Sequence, residues 1–160
     1  MITKEQIFKI LEEVKDPEIP VLSLVDLGVI TDVIISEEGK VKIEMTPTFS
    51  GCPAMDIMKS EVIKVLEENG IKDYQVRISF EKPWNTGLIS EKGRIALKNF
   101  GLAPPPAQSL IEDLDILENI ECPYCQSNDT TLKSPFGPTL CRSIHYCNHC
   151  RQAFEQFKPL

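Results

Sequence analysis

Two short cysteine pairs near the end of the chain constrain its folding more than any other feature. Cys122-x2-Cys125 and Cys147-x2-Cys150 are separated by 21 residues. Each pair bends the backbone so that two sulfurs face one ion, and two such knuckles complete a closed tetrahedral thiolate site of the structural zinc type. The segment from residue 120 onward carries few large apolar side chains, so burial alone cannot hold it together. Metal binding would supply much of its folding free energy, roughly 10 kcal/mol or more for structural zinc peptides. One zinc per chain is expected; a rubredoxin-like iron or a labile cluster would use the same four ligands. Cys141, His145 and His149 lie close by in sequence. The simplest expectation packs Cys141 as a small thiol and leaves both histidines facing solvent.

The cysteine total is even, which also suits disulfides. However, four of the six fall in CxxC pairs, and the N-terminal stretch MITKEQIFKILEEVK lacks the apolar core of a signal peptide. That combination reads as metal binding in a reducing cytoplasm. No apolar run approaches the roughly 18 residues that a membrane span needs. Residues 1–119 hold 13 Lys+Arg against 21 Asp+Glu, and residues 120–160 hold 4 against 3. Neither part has the basic excess on which phosphate-backbone binding depends, so a protein or small-ligand partner is expected rather than nucleic acid. A homo-oligomer is compatible with the sequence.

The preceding segments alternate between helical and extended periodicity. Thr3 and Gln6 form a capping-box pair ahead of Ile7, Ile10, Leu11 and Val14 at helical spacing. DPEIPVLSLVDLG (16–28) is loop-like, since Pro17 disfavours helix at Asp16. Val29–Ile35 alternates, with Val29, Thr31, Val33 and Ile35 expected on one face, and Val41, Ile43 and Met45 alternate after a turn, giving a hairpin. Pro53 suits the first position of a helix whose stripe is Met55, Met58, Val62, Val65 and Leu66. Tyr74, Val76, Ile78 and Phe80 make a third strand, and Ser90 can cap a last helix ending near Phe100. The expected class is α+β, a small α-β-β-α-β-α domain with helices on a small sheet, followed by the zinc-ribbon-like module. The expected divisions are a domain at 1–102, a Pro-rich and acidic linker at 103–119, helical or extended from Leu110, and the four-cysteine domain at 120–160.

Cys52 stands apart from the other cysteines, in TPTFSGCPA (46–54). A helix start would stabilise a thiolate there, so an accessible, low-pKa thiol is one expectation; a buried, inert side chain is the other. Cysteine-nucleophile catalysis needs a base, usually His, and the two histidines both lie in the tail. The chain is therefore read as non-enzymatic. A thiolate that transiently holds iron or an iron–sulfur cluster needs no base. Asp16, Glu18 and Asp26 are supporting carboxylates if their loop lies beside Cys52, or else local turn and cap formers.

DPEIPVLSLVDLG followed by TPTFSGCPA resembles the SufT and PaaD group of metal–sulfur cluster assembly domains. PWNTGLISEKGR, KNFGLAPP, CPYC, SPFGPTLCRS and YCNHC extend that likeness over nearly the whole chain to the PaaD (PaaJ) family of phenylacetate degradation. The resemblance implies an accessory or maturation role beside a multicomponent di-iron ring-1,2-phenylacetyl-CoA epoxidase, with its oxygenase and reductase components as partners. It implies a functional cysteine at Cys52 and a zinc ribbon on Cys122, Cys125, Cys147 and Cys150. Two alternatives are a structural docking module with an inert Cys52, and a general iron–sulfur assembly factor with another client. Trp84-Asn85-Thr86-Gly87 and the terminal Pro159 depart from the family's Trp-Thr-Thr-Asp and its final cysteine, so neither a carboxylate at that loop nor a terminal thiol carries over.

Overall fold

The computed structural model describes residues 1–48, 51–105 and 118–157. The part of the expected linker from 106 to 117 and the terminal Pro159 lie outside them. The chain divides into two compact units, residues 1–84 with 88–93, and residues 85–87 with 94–160.

In the first unit, α1 (Lys4–Leu11) starts at the expected box: Gln6 N–H donates to Thr3 Oγ1 (3.3 Å) and Thr3 N–H to Gln6 Oε1 (2.8 Å). It buries Ile7 and Leu11. The 16–28 segment contributes core as well as a connection, since Ile19, Leu22, Leu24 and Leu27 are all buried. Its ends are fastened by Asp16 N–H on Leu22 O and Leu24 N–H on Val14 O, both 2.9 Å. β1 (Ile30–Ile35) pairs antiparallel with β2 (Val41–Met45), and β2 pairs parallel with β3 (Tyr74–Ile78). α2 (Met55–Glu68) makes the crossover between the parallel strands, as such pairs require.

Two sequence expectations shift. A register irregularity between Ile30 and Asp32 breaks the alternation of β1, so Thr31 is exposed while Ile30 and Val33 are buried. An extra residue in one strand changes which face the next side chains meet. β3 ends at Ile78, so Phe80, expected to continue the strand, lies beyond it and is largely exposed.

α3 (Glu91–Phe100) begins at Ser90, whose Oγ accepts from Gly93 N–H at 2.9 Å. The order α1-β1-β2-α2-β3-α3 is that expected from the sequence. The second unit contains a four-stranded sheet in the order β4-β7-β6-β5, made of β4 (Leu102–Ala103), β5 (Thr130–Ser134), β6 (Arg142–Cys147) and β7 (Ala153–Phe157). Leu102 and Ala103, at the expected edge of the N-terminal domain, pair in parallel with Glu155 and Gln156. The Arg94 guanidinium donates to Thr86 O (2.8 Å) and to Pro105 O, gathering residues 85–87 and the start of the Pro-rich stretch into this unit.

Candidate metal centre and the Cys52 loop

The two knuckles have the same local construction. Gln126 N–H donates to Cys122 O, and Arg151 N–H to Cys147 O, each at 2.9 Å. Both residues take left-handed backbone, φ 65° at Gln126 and φ 60° at Arg151. Neither is glycine, so each turn carries the strain of an L side chain in that region. Asn148 then fixes the second knuckle to the strand leading from the first. Its N–H donates to Asp129 O (2.9 Å), and its side-chain amide donates to Asp129 Oδ1 (3.0 Å) and Thr131 Oγ1 (3.1 Å).

The sulfurs of Cys122, Cys125, Cys147 and Cys150 all lie within 4.8 Å of one another, with Cys125···Cys147 at 3.5 Å and Cys122···Cys150 at 3.7 Å. A tetrahedron of sulfurs about 2.3 Å from a central zinc has an edge of roughly 3.8 Å, so the arrangement fits one such ion. Cys122 and Cys147 are fully buried and pack with Ala103 and Phe154, while Cys125 and Cys150 are half-exposed. The Cys150 N–H approaches Cys147 Sγ at 3.4 Å and is the main cause of a Cys147 pKa held down to about 7. Burial is the first cause pushing Cys150 up to about 12. Four close sulfurs cannot all ionise on their own, and a divalent cation is the species that lets them do so.

The three neighbouring candidates stand outside this group. Cys141 is buried, with its sulfur 3.0 Å from Thr139 Oγ1. His149 is exposed at the tip of the second knuckle. His145 departs from expectation: it is fully buried, stacked on Phe154 with centroids 5.4 Å apart, and its Nε2 is 2.8 Å from Ser143 Oγ. The signal was the period of two that puts Ser143, His145 and Cys147 on one face of a strand. The left-handed residues after each knuckle and the Asn148 clamp had no such sequence signal.

Cys52 lies between β2 and α2. Gly51 before it has φ +82° in open space, so glycine is there for the backbone geometry alone. The helix starts at Met55, two residues later than Pro53 suggested. Ala54 occupies the cap without a side-chain hydrogen bond, and Met55 N–H closes a turn on Cys52 O at 3.3 Å. The thiol is half-buried, and its pKa is raised rather than lowered. Burial is the largest cause and the Asp16 and Glu18 charges add to it, outweighing the Ala54 and Met55 N–H groups that favour the thiolate. The expected low-pKa thiol is therefore overturned.

Of the three candidate carboxylates, Asp16 and Glu18 act on Cys52 through their charge. Asp16 is 7% exposed, and its Oδ1 accepts from Glu18 N–H (2.8 Å) and Ile19 N–H (2.9 Å), which fixes the turn. Asp26 has another task. It accepts from Ser23 Oγ (2.7 Å) and Ser90 Oγ (2.6 Å) and lies 3.6 Å from Lys92 Nζ, tying the 16–28 segment to the start of α3. Burial works to raise its pKa, but the two hydroxyls and Lys92 outweigh burial and leave it below the usual carboxylate value.

Fold and site together define a two-part chain, a small α+β domain with one distinct cysteine loop and a ribbon whose four cysteines are placed to hold one metal ion. Residues 4–78 match the iron–sulfur cluster assembly protein family, and residues 108–158 match the PaaD zinc beta ribbon domain. An Escherichia coli protein provisionally named as a component of 1,2-phenylacetyl-CoA epoxidase is 37% identical over 96% of this chain and 91% of its own length. An Fe-S protein maturation auxiliary factor of Bacillus subtilis is 41% identical over 59% of this chain and 92% of its own. The crystal structure of a DUF59 domain from Bacillus anthracis, 33% identical, superposes with a TM-score of 0.55 over 59% of this chain and 90% of that one. The chain belongs to the PaaD family, in which an iron–sulfur assembly domain and a zinc ribbon are joined in one polypeptide.

Proposed function

We propose that this chain is a non-catalytic maturation factor that delivers iron, singly or as a cluster, to a metalloprotein client. The client proposed is the di-iron ring-1,2-phenylacetyl-CoA epoxidase, at its oxygenase or reductase component. Support for the general role comes from relatives named as Fe-S protein maturation auxiliary factors, and for the client from the relative named as an epoxidase component. The observation that carries the reading is Cys52 with the Asp16 and Glu18 charges acting on it. A thiol whose pKa is raised by burial and anionic neighbours stays protonated in neutral solution. An arriving cation reverses both influences, because it favours the thiolate and is itself attracted by the carboxylates. The loop therefore suits a positively charged cargo held briefly, with sulfur and carboxylate oxygen as donors. The ribbon metal, by contrast, is a resident structural ion. Among the described residues no helix is long and apolar enough to cross a membrane, and the reading places the chain in the cytoplasm with its client.

Co-expressing the epoxidase components with wild type or Cys52→Ser tests this. The variant is expected to fold normally and to leave the client deficient in iron, with activity falling in proportion. Full client iron with Cys52→Ser would refute the role of Cys52. The raised thiol pKa also favours a second reading, a docking module in which Cys52 is inert. In that case a pull-down of the client survives Cys52→Ser, client iron is normal, and replacing Cys147 and Cys150 abolishes binding.

A further inference from the structure

Three large apolar side chains stand in solvent at the end of the first unit that carries Cys52. β2 and β3 are parallel, so their carboxyl ends share one end of the sheet, where Ser79 N–H donates to Met45 O at 2.8 Å. α2 runs back toward the other end: the Tyr74 hydroxyl, at the start of β3, donates to Glu67 Oε1 near the helix C-terminus at 2.6 Å. The first turn of α2, and the Cys52 loop before it, therefore lie at the carboxyl end of the strands. Ile57 in that turn is 57% exposed, and Phe80, just beyond β3, is 66% exposed. The backbone under Phe80 is fixed, since Glu81 N–H donates to Ser79 Oγ (3.3 Å) and Arg77 pairs with Glu81 (2.6 Å). Val21, 46% exposed, sits in the 19–22 turn next to Glu18, whose charge acts on Cys52. Three separate elements thus bring an exposed apolar group to the Cys52 end.

We propose that Val21, Ile57 and Phe80 form the docking rim on which the apo-client metalloprotein seats while it takes its cargo from Cys52. The proposal rests on the maturation reading. A metal passes directly between two sets of ligands only when both lie within bonding distance of it, about 2.0–2.3 Å. The client must therefore cover this end of the unit. A specific interface spans about 800 Å² on each partner, a disc roughly 16 Å in radius, and Ile57 follows Cys52 closely in the chain. Large apolar side chains grouped in solvent mark a contact surface, and those already held in place dock at little ordering cost. Charge selects among the occupants. The charges acting on Cys52, those of Asp16 and Glu18, are both negative. A second copy docked by the same face would set these carboxylates against their twins, and an anionic lipid surface would be repelled. The partner that fits is a folded protein with an apolar socket and basic rather than acidic side chains opposite residues 16–18.

The test titrates the full zinc-loaded chain calorimetrically against purified apo forms of the epoxidase components. Wild type is compared with Ile57→Gln, Phe80→Gln, Cys52→Ser and Ile34→Gln. Ile34 is as exposed as Val21 but pairs with Lys42 at the opposite end of the sheet. Expected is a Kd raised about tenfold or more by each rim substitution, wild-type affinity for Ile34→Gln and Cys52→Ser, and an unchanged urea midpoint by Trp84 fluorescence throughout. In co-expression, raised amounts of a rim variant should restore client iron, because mass action offsets weak docking, and no amount of Cys52→Ser should do so. Wild-type affinity in both rim variants would overturn the proposal, as would an equal loss with Ile34→Gln. So would rim-dependent capture on phosphatidylglycerol vesicles, or a dimer that Phe80→Gln dissociates, with client affinity unchanged. Client iron that still requires Cys52 alongside any of those results would leave the delivery reading standing and remove only the rim. Full client iron with Cys52→Ser, alongside weakened binding by the rim variants, would remove the delivery reading and keep the docking surface.

Discussion

Replacing Gly28 by Ala tests how the 16–28 segment is fastened within its own unit. Gly28 and Gly70 share the same left-handed backbone, φ +78° at both. They differ in what a methyl group would meet. At Gly28 a Cβ would lie 2.5 Å from Leu88 Cβ, 2.7 Å from Leu88 O and 2.9 Å from Leu88 C; at Gly70 nothing lies within 4 Å. The backbone penalty is common to both, about 1–2 kcal/mol for an L residue in that region. It is partly offset by about 0.4–1 kcal/mol from a stiffer unfolded chain. Gly70→Ala should therefore cost about 0.5–1 kcal/mol. Gly28→Ala adds overpacking of about 1–3 kcal/mol, and two of its three contacts are backbone atoms that cannot turn aside. The expected total is about 2–4 kcal/mol.

Trp84 supplies the assay. It is the one tryptophan of the chain, 5% exposed, and its Nε1–H donates to Leu27 O at 2.9 Å. Its fluorescence reports unfolding of the first unit next to the mutated residue, whatever the ribbon does. In urea, with a slope of about 1–3 kcal/mol/M, the midpoint of the Gly28 variant should fall below that of Gly70→Ala by about 1 M, and by no less than about 0.3 M. Equal shifts for the two variants, at unchanged slope, would refute the claim that close approach to Leu88 fixes this glycine.

Asp26→Asn should destabilise the first unit by about 1 kcal/mol at neutral pH, a figure reduced for partial solvent screening. The folded Asp26 pKa is depressed, so its contribution is present above the unfolded carboxylate value and disappears as pH falls through the folded one. Melting curves of wild type and variant should therefore converge below about pH 4. Glu18→Gln should speed iodoacetamide labelling of Cys52 at pH 8, since it removes one of the charges holding the thiol protonated; an unchanged rate would remove Glu18 from the site. Cys147→Ala should abolish zinc binding and unfold the ribbon, whereas Cys141→Ala should retain one zinc per chain by elemental analysis, because only Cys147 belongs to the four-sulfur group.

The features legible in the sequence are those set by residues near one another in the chain. The Thr3–Gln6 box, the Ser90 cap, the bounds of β2 and the two knuckles each depend on a few neighbouring side chains. The features that escape it depend on distant partners. Thr31 faces outward because β1 slips against β2, which no alternation within residues 29–35 can announce. His145 is buried because it stacks on Phe154 of the adjacent strand. The Cys52 thiol is the clearest case. Its local sequence, a thiol before Pro and a helix, argues for a depressed pKa. The fold delays the helix to Met55 and sets the Asp16 and Glu18 charges against the sulfur, and the direction reverses.

That reversal gives the two cysteine sites opposite chemical characters. In the ribbon, four sulfurs, two of them fully buried, surround one position, a closed set that leaves no coordination site for exchange. At Cys52, one half-buried sulfur carries a proton that the surroundings favour keeping. Binding a cation there releases that proton, so affinity is weaker and falls as pH falls. A site meant to keep its metal gains from the first arrangement, and a site meant to give its metal up gains from the second. On the maturation reading the acidic neighbours attract the cargo and donate oxygen to it, so removing one weakens cargo binding even as it eases deprotonation of Cys52. Glu18→Gln should then lower both the iron retained on this chain and the iron that reaches the client, and unchanged iron in both would remove Glu18 from the delivery role.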